Sequence, residues 1–423
     1  MEVLNIDKSD FNFALSEFDP LIVEDEFGFK TISNQPAECY SNFFVEHLVK
    51  NQPCIIKACA QDWTSSQCWT ISGKPNFTLL KDKFGSAQVS VSDCKVKYYN
   101  AHQTKSMVFS DFMNYWEKYS SDCWPANEAC LYLKDWHLMK NFPTESVYVV
   151  PYQFSSDWLN EYYMDHPHLD DDYRFVYMGP KGTWTPLHAD VFTSFSWSAN
   201  ICGKKKWLLF PPGEERVLKD ECGNLVFDVT LGNVSASDIS PNRSFTVVQE
   251  PGEVIFVPSG WHHQVWNEDD TISINHNWIN ACNIHQVWTS LKANLEAVKK
   301  EVSDCQDMDD WFEHCQLILK STFGMNYEEF YRFLFYVGTK RIEHLNQNEL
   351  LSSFQTWKFG REHMLYDLVK IKEVLLLFID CDELVELPFY SELNNPPEFF
   401  INDINNTVNG FLSSEYDFDD NSL

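Results

Sequence analysis

The chain has 423 residues and a formal net charge of −30, with 62 acidic against 32 basic side chains, a balance that repels nucleic-acid phosphate and excludes direct DNA or RNA binding as the expected role. Hydrophobic residues make up 44% and aromatics 16%, ample material for a large core, so wholesale disorder is excluded too. No apolar run approaches the roughly 18 residues of a membrane span, and the opening stretch MEVLNIDKSDFNFALSEFDP has no basic or apolar signal region, so no secretory signal is expected.

The 13 cysteines are odd in number, scattered, and without a CxxC pair. That argues against a disulfide framework and structural zinc modules, and for reduced thiols in a cytoplasmic or nuclear protein. An acidic surface suits a basic partner, such as a protein substrate bearing Lys or Arg, and it also serves solubility.

In chain order, residues 1–30 read as an acidic, irregular segment. Cys39 to Lys50 has helical periodicity and Gln52 to Cys59 is β-rich. Phe77 to Phe84 is helical, Gln88 to Val91 a strand, Val108 to Tyr119 a helix and Cys130 to Trp136 a strand. From Tyr173 to Ile279 the pattern changes to short alternating runs between Pro/Gly turns. The strands read there are Arg174–Met178, Leu187–Phe192, Phe195–Cys202, Lys205–Phe210, Phe245–Gln249, Glu253–Val257, His263–Asn267 and Thr271–Trp278. Such a series predicts a jelly roll or barrel. Beyond it Val287–Val302, Asp309–Ser321, Tyr327–Tyr336 and His363–Phe378 read as helices, and SEYDFDDNSL as an unstructured acidic tail.

The stretch WTPLHADVF places His188 and Asp190 two positions apart, on one face if the segment is a strand. His168-Leu169-Asp170 repeats the pattern, but in a polar, proline-containing stretch that reads as a solvated loop. A barrel holds a non-haem metal through two histidines and a carboxylate, and VPSGWHHQVW supplies His262 and His263, of which one points inward in an extended chain. Lys205 enters the apolar strand KWLLF and needs an anion there. On TISINHNW, Ser273, Asn275 and Asn277 share a face, which suits a polar cavity better than a packed core. Trp207, Trp261 and Trp266 read as packing, and Lys204 and Lys206 as exposed.

The series HAD, GKKKWLLFPP, PGEVIFVPSGWHH and NHNW resembles the jumonji-C family of iron(II)- and 2-oxoglutarate-dependent oxygenases, over about residues 31–281, with HADVFTSFSWSANICGKKKWLLFPPG and LYLKDWHL closest to a lysyl-hydroxylase subgroup. The resemblance implies an α+β chain: a double-stranded β-helix (jelly-roll or cupin barrel, core about 173–279) with flanking N-terminal helices, a helical region over 282–412 and a tail at 413–423. It implies His188, Asp190 and His263 as iron ligands, His263 because it falls five residues after Pro258. It implies Lys205, Thr185 and Tyr132 on the far carboxylate of 2-oxoglutarate, and Asn275 and Asn277 lining the same pocket. Ser198 stands where relatives carry an asparagine, and Asn200 is the alternative contact. Dioxygen is the remaining cosubstrate. The implied reaction is hydroxylation of a lysine side-chain carbon in a protein, with a translation release factor as expected target and an acidic residue near the iron for the ammonium. Lysine demethylation, a non-catalytic cupin scaffold and a zinc- or manganese-filled barrel are the alternatives. A homo-oligomer is compatible with this reading, and no membrane partner is expected.

Overall fold

The structure is a computed structural model describing residues 2–16, 28–169, 173–219, 223–231 and 244–419, with side chains through residue 412. Eight strands form its centre: β1 Arg174–Gly179, β2 Trp184–His188, β3 Phe195–Cys202, β4 Lys205–Phe210, β5 Phe245–Gln249, β6 Val254–Val257, β7 His262–Asn267 and β8 Thr271–Trp278. They pair antiparallel in two sheets, β6-β3-β8-β1 and β2-β7-β4-β5, so the chain crosses repeatedly from one sheet to the other. This is the strand order of a jelly roll. The two sheets face each other, as a double-stranded β-helix requires. The first sheet extends to nine strands by adding Lys30–Ser33 and Cys54–Lys57 at one edge and Leu131–Trp136, Gln88–Tyr98 and Ala101–Val108 at the other.

Strand parity separates two environments. Trp197, Ala199, Ile272, Ile274, Val254 and Phe256 face outward from the large sheet into the main core, where Phe154 stacks on Trp197 at 5.8 Å and approaches Trp278 at 5.2 Å. Each fully buried large side chain there contributes roughly 1.5–3 kcal/mol. The inner face carries Ser196, Ser198 and Asn200, paired in register with Asn277, Asn275 and Ser273. Against this polar strip the smaller sheet brings Lys205, Trp207, Leu209 and Val265. The cross-over from β3 to β4 turns at Gly203, whose φ is +72° and whose Cβ, if present, would lie 2.3 Å from the Asp270 carbonyl oxygen. Only glycine fits that turn.

The C-terminal region is helical, as expected, with helices Ile284–Glu301, Trp311–Phe323, Tyr327–Gln347 and Arg361–Ile379. Asn326 and Glu329 close a capping box at the start of the third. A buried ion network ties this region to the rest: Arg341 donates to both oxygens of Glu161 and to Asp367 at 2.9 Å.

Three expectations change. The opening segment is ordered where described: Glu2–Leu4 pairs in parallel with Trp357–Phe359, and Lys8–Ser16 is a helix that buries Phe11 and Ala14. The acidic tail does not begin as coil, because the helix Pro397–Asp419 runs into it. The expected strand Leu187–Phe192 ends at His188, and the chain turns through a single 3-10 turn, Val191–Thr193, with Phe192 and Thr193 at positive φ. None of the described helices is long and apolar enough to cross a membrane.

Candidate metal and cosubstrate site

His188 ends β2 directly opposite His263 on β7, with ring centroids 4.3 Å apart. Asp190 follows in the turn, and the turn, not strand parity, brings its carboxylate to the histidine pair. Ligand atoms of His188, Asp190 and His263 all lie within 4.8 Å of one another. Each imidazole is oriented by a backbone carbonyl, which accepts from Nδ1: Pro186 at 2.8 Å for His188, Trp261 at 3.1 Å for His263. Both Nε2 lone pairs are thereby left to the shared space. Burial, reinforced by the mutual repulsion of the two rings, pushes the His188 pKa down to about 4, against the pull of Asp190. Burial lowers His263 likewise. Neutral imidazoles are the form a metal binds. Ser196 donates to Asp190 Oδ2 at 2.6 Å, leaving the other oxygen free to ligate.

Adjacent His262 points the other way, with Nδ1 3.9 Å from a carboxylate oxygen of Glu215. The look-alike at 168 takes no part. His168 is exposed with its ring 6.0 Å from that of His166, and Asp170 lies outside the described residues.

Lys205 lies deeper between the sheets, 2% exposed, donating to Ser273 Oγ at 2.9 Å. That partner is neutral, and burial pushes the lysine pKa down to about 7. A buried ammonium facing a hydroxyl is a receptor for an anion. Around it, Asn267 pairs with Lys205 in register and donates to Thr183 Oγ1 at 2.8 Å, and the Tyr132 ring is buried on the strand Leu131–Trp136. Burial raises the Tyr132 pKa, so the hydroxyl stays a neutral donor. Gly179 makes room for that ring, since a Cβ there would sit 2.6 Å from Tyr132 Cδ2. Thr185 is half-buried one row nearer the histidines, in register with Val265. The Trp207 ring spans the gap, 5.5 Å from Lys205 Nζ and 5.6 Å from the His263 ring. Its indole N–H is fixed by Gln249 Oε1 at 2.9 Å.

Asn275 and Asn277 are both on the inner face. Asn275 accepts from Ser198 at 3.1 Å, and Asn277 donates to Ser194 at 3.2 Å. Asn200 spends its amide N–H groups on the carbonyls of Gly203 and Gln249, while its Oδ1 is buried without a hydrogen-bond partner. Trp207 and Trp261 pack between the sheets and Trp266 on the outer face of the smaller one. Lys204 and Lys206 are exposed, Lys204 pairing with Glu250 at 3.0 Å.

Sequence reasoning missed four contributors. Ser196 shares the inner parity of residues already singled out, and that parity was the available signal. Asn267 closes β7 across from Lys205. Tyr177, on the inner face of β1, donates to Asp135 at 2.6 Å. No sequence signal points to that last pair, because Asp135 sits at φ +55° in an irregular break of strand pairing.

Two neutral imidazoles and one carboxylate around a common point form the facial donor set of non-haem iron(II), and the buried ammonium suits a dicarboxylate cosubstrate. The comparisons agree. The family described as "JmjC domain, hydroxylase" matches residues 175–278. A Gallus gallus protein named 2-oxoglutarate and iron-dependent oxygenase JMJD4 is 46% identical over 88% of this chain and 91% of its own length. Its Homo sapiens namesake is 45% identical over 81% of this chain and 83% of its own. An Arabidopsis thaliana protein named Arginine-specific demethylase JMJ20 is 36% identical over 87% of this chain and 84% of its own. On this similarity and this site, the chain belongs to the JmjC family of 2-oxoglutarate- and iron-dependent oxygenases.

Proposed function

We propose that this oxygenase hydroxylates a lysine side-chain carbon of a protein substrate, a translation release factor being the expected target. The observation that carries the lysine reading is Asp135: an exposed carboxylate whose partner, Tyr177, belongs to the inner face and lies near enough to Asp190 to feel its charge. A substrate ammonium paired with Asp135 would lay its carbon chain past Tyr177 toward the ligand cluster. The acidic charge balance favours the same class of substrate.

In this reading His188, Asp190 and His263 hold iron(II). Lys205 grips the far carboxylate of 2-oxoglutarate, Ser273 steadies the ammonium, and Tyr132 and Thr185 supply hydroxyl donors. Asn275 and Asn277 line the polar wall of the pocket. Iron with 2-oxoglutarate and dioxygen supplies the oxidising power for C–H bonds. The chain's own work is orientation and dryness. Ile255, Val257, Leu209 and Val265 wall the space with apolar surface, which strengthens the Lys205–carboxylate attraction and keeps competing water away.

The name of the Arabidopsis thaliana relative supports a second reading, demethylation of a methylated arginine, since a carboxylate such as Asp135 also accepts a guanidinium. Lysine demethylation uses the same core. One experiment separates these: incubate the protein with iron(II), 2-oxoglutarate and lysine-bearing or methylated fragments of a release factor, and read the peptide mass. A gain of one oxygen on lysine supports the proposal and a lost methyl supports demethylation. No change with wild type, matching Asp190→Ala, sinks both and leaves a scaffold.

A further inference from the structure

Cys94 and Cys130 stand on neighbouring antiparallel strands. The register Ser92 with Tyr132 and Asp93 with Leu131 makes Cys94 and Cys130 the next facing pair, and the Cys94 amide donates to the Cys130 carbonyl at 2.9 Å. The Cys130 amide turns instead to Asp93 Oδ1 at 3.2 Å, so the pair closes one of its two ladder bonds at the end of the ladder. Facing residues on antiparallel strands have Cα atoms about 4.5–5.5 Å apart, inside the range a disulfide spans. The two side chains pack in one small cluster with Tyr119 and Tyr132.

We propose that Cys94 and Cys130 are a peroxide-sensitive dithiol whose oxidation to a disulfide loosens the cosubstrate end of the site. The Cys130 sulfur is the nucleophile. The Cys94 thiol, Tyr119 and the Lys95 ammonium lie around it and hold its pKa below the ordinary thiol value despite burial, while the Cys94 S–H itself donates to the Trp184 carbonyl at 3.6 Å. Its thiolate attacks one oxygen of hydrogen peroxide, and the O–O bond breaks. The products are a sulfenic acid and a hydroxide that becomes water on protonation. The Cys94 sulfur then attacks the sulfenic sulfur, forming the S–S bond and releasing a second water. Two thiols give up two electrons and two protons, and peroxide is reduced to two waters. Cys94 is 7% exposed and Cys130 3%, which admits a small neutral oxidant and disfavours a mixed disulfide with a bulky thiol.

Oxidation reaches the site through two short connections. Cys94 Sγ accepts from the Trp184 amide at 3.4 Å, and the Trp184 indole donates to the Cys94 carbonyl at 3.2 Å. Trp184 opens the strand that carries Thr185 and ends in His188. Turning Cys94 Sγ toward Cys130 takes that acceptor away from Trp184. On the other strand, Tyr132 lies two residues beyond Cys130. The chemical half of this proposal stands on the cysteines alone, and the functional half rests on the assignment of Thr185 and Tyr132 above.

The test treats the reduced full-length protein with hydrogen peroxide and maps its peptides by mass spectrometry. The expected product is a Cys94–Cys130 crosslink, two hydrogens lighter, reversed by dithiothreitol and absent from both Cys94→Ser and Cys130→Ser. Binding of 2-oxoglutarate to the manganese-loaded protein should weaken roughly tenfold on oxidation, the scale of one charge-assisted hydrogen bond lost. No crosslink, a crosslink between other cysteines, or a Cys94–Cys130 crosslink that leaves 2-oxoglutarate affinity unchanged overturns the proposal. Thr185→Ala in the same assay isolates the fault: lost affinity in that variant beside an unaffected oxidised wild type refutes the dithiol and spares the site assignment.

Discussion

His188 and His263 face each other across antiparallel strands with their Nδ1 atoms tied to the carbonyls of Pro186 and Trp261. Both free nitrogens are thus aimed by main chain rather than by other side chains. Asp190 alone among the three is aimed by a side chain, through Ser196 at 2.6 Å.

Ser196→Ala should therefore lower metal affinity about 10- to 100-fold, the usual scale for losing a partner of a metal ligand. The fold should survive, since the hydroxyl packs at the site's edge. Calorimetric titration with manganese(II) measures it, and an unchanged affinity would show that Asp190 needs no such support.

Lys205 sets function against stability. In the folded protein burial holds its pKa near 7, against about 10.4 in an unfolded chain. Between those values the unfolded state carries more protons, so stability rises with pH across that window, and below pH 7 the full cost of the buried ammonium is present. Lys205→Met should raise the stability of the metal-free protein by about 1–3 kcal/mol at pH 7. It should also erase the rise between pH 7 and 10 and abolish 2-oxoglutarate binding. Denaturant unfolding at several pH values checks the first two. Calorimetry in two buffers of different ionisation enthalpy should show wild type taking up protons on binding cosubstrate above pH 7.

Arg341 is fully buried between Glu161 and Asp367. Arg341→Ala strands two buried carboxylates and should cost about 3–5 kcal/mol, read as a shift in the urea midpoint. A loss under 1 kcal/mol would mean water reaches the network.

How much of this was legible in sequence depends on what carried the information. Strands β3, β4, β5 and β8 have the bounds read from alternation and Pro/Gly turns, because parity and turn chemistry are local. The helix Phe77–Phe84 was equally plain. The turn after His188 was not, since Phe192 and Thr193 adopt positive φ without glycine. That conformation is imposed by packing, with the Phe192 ring 6.0 Å from Phe323 of a distant helix. The strand Glu2–Leu4 was hidden for the same reason, its partner Trp357–Phe359 lying at the far end of the chain. At the site, the histidines and Lys205 stood out as polar residues in apolar strands. Asp135 and Tyr177 look ordinary until the fold brings them together.

Gly203→Ala tests a local reading. Positive φ and the 2.3 Å approach to the Asp270 carbonyl leave no room for a methyl. The substitution should destabilise by more than about 1 kcal/mol and weaken cosubstrate binding through displaced Lys205. Thermal unfolding and 2-oxoglutarate titration check both.

The central claim is that His188, Asp190 and His263 hold the metal while Lys205 anchors the cosubstrate. Its most direct test is the visible charge-transfer absorption that appears when 2-oxoglutarate chelates protein-bound iron(II) without oxygen. Wild type and His262→Ala should show the band, Asp190→Ala and His263→Ala should lack it, and Lys205→Met should lack it at cosubstrate concentrations that saturate wild type. A band that survives His263→Ala and vanishes in His262→Ala would contradict the account.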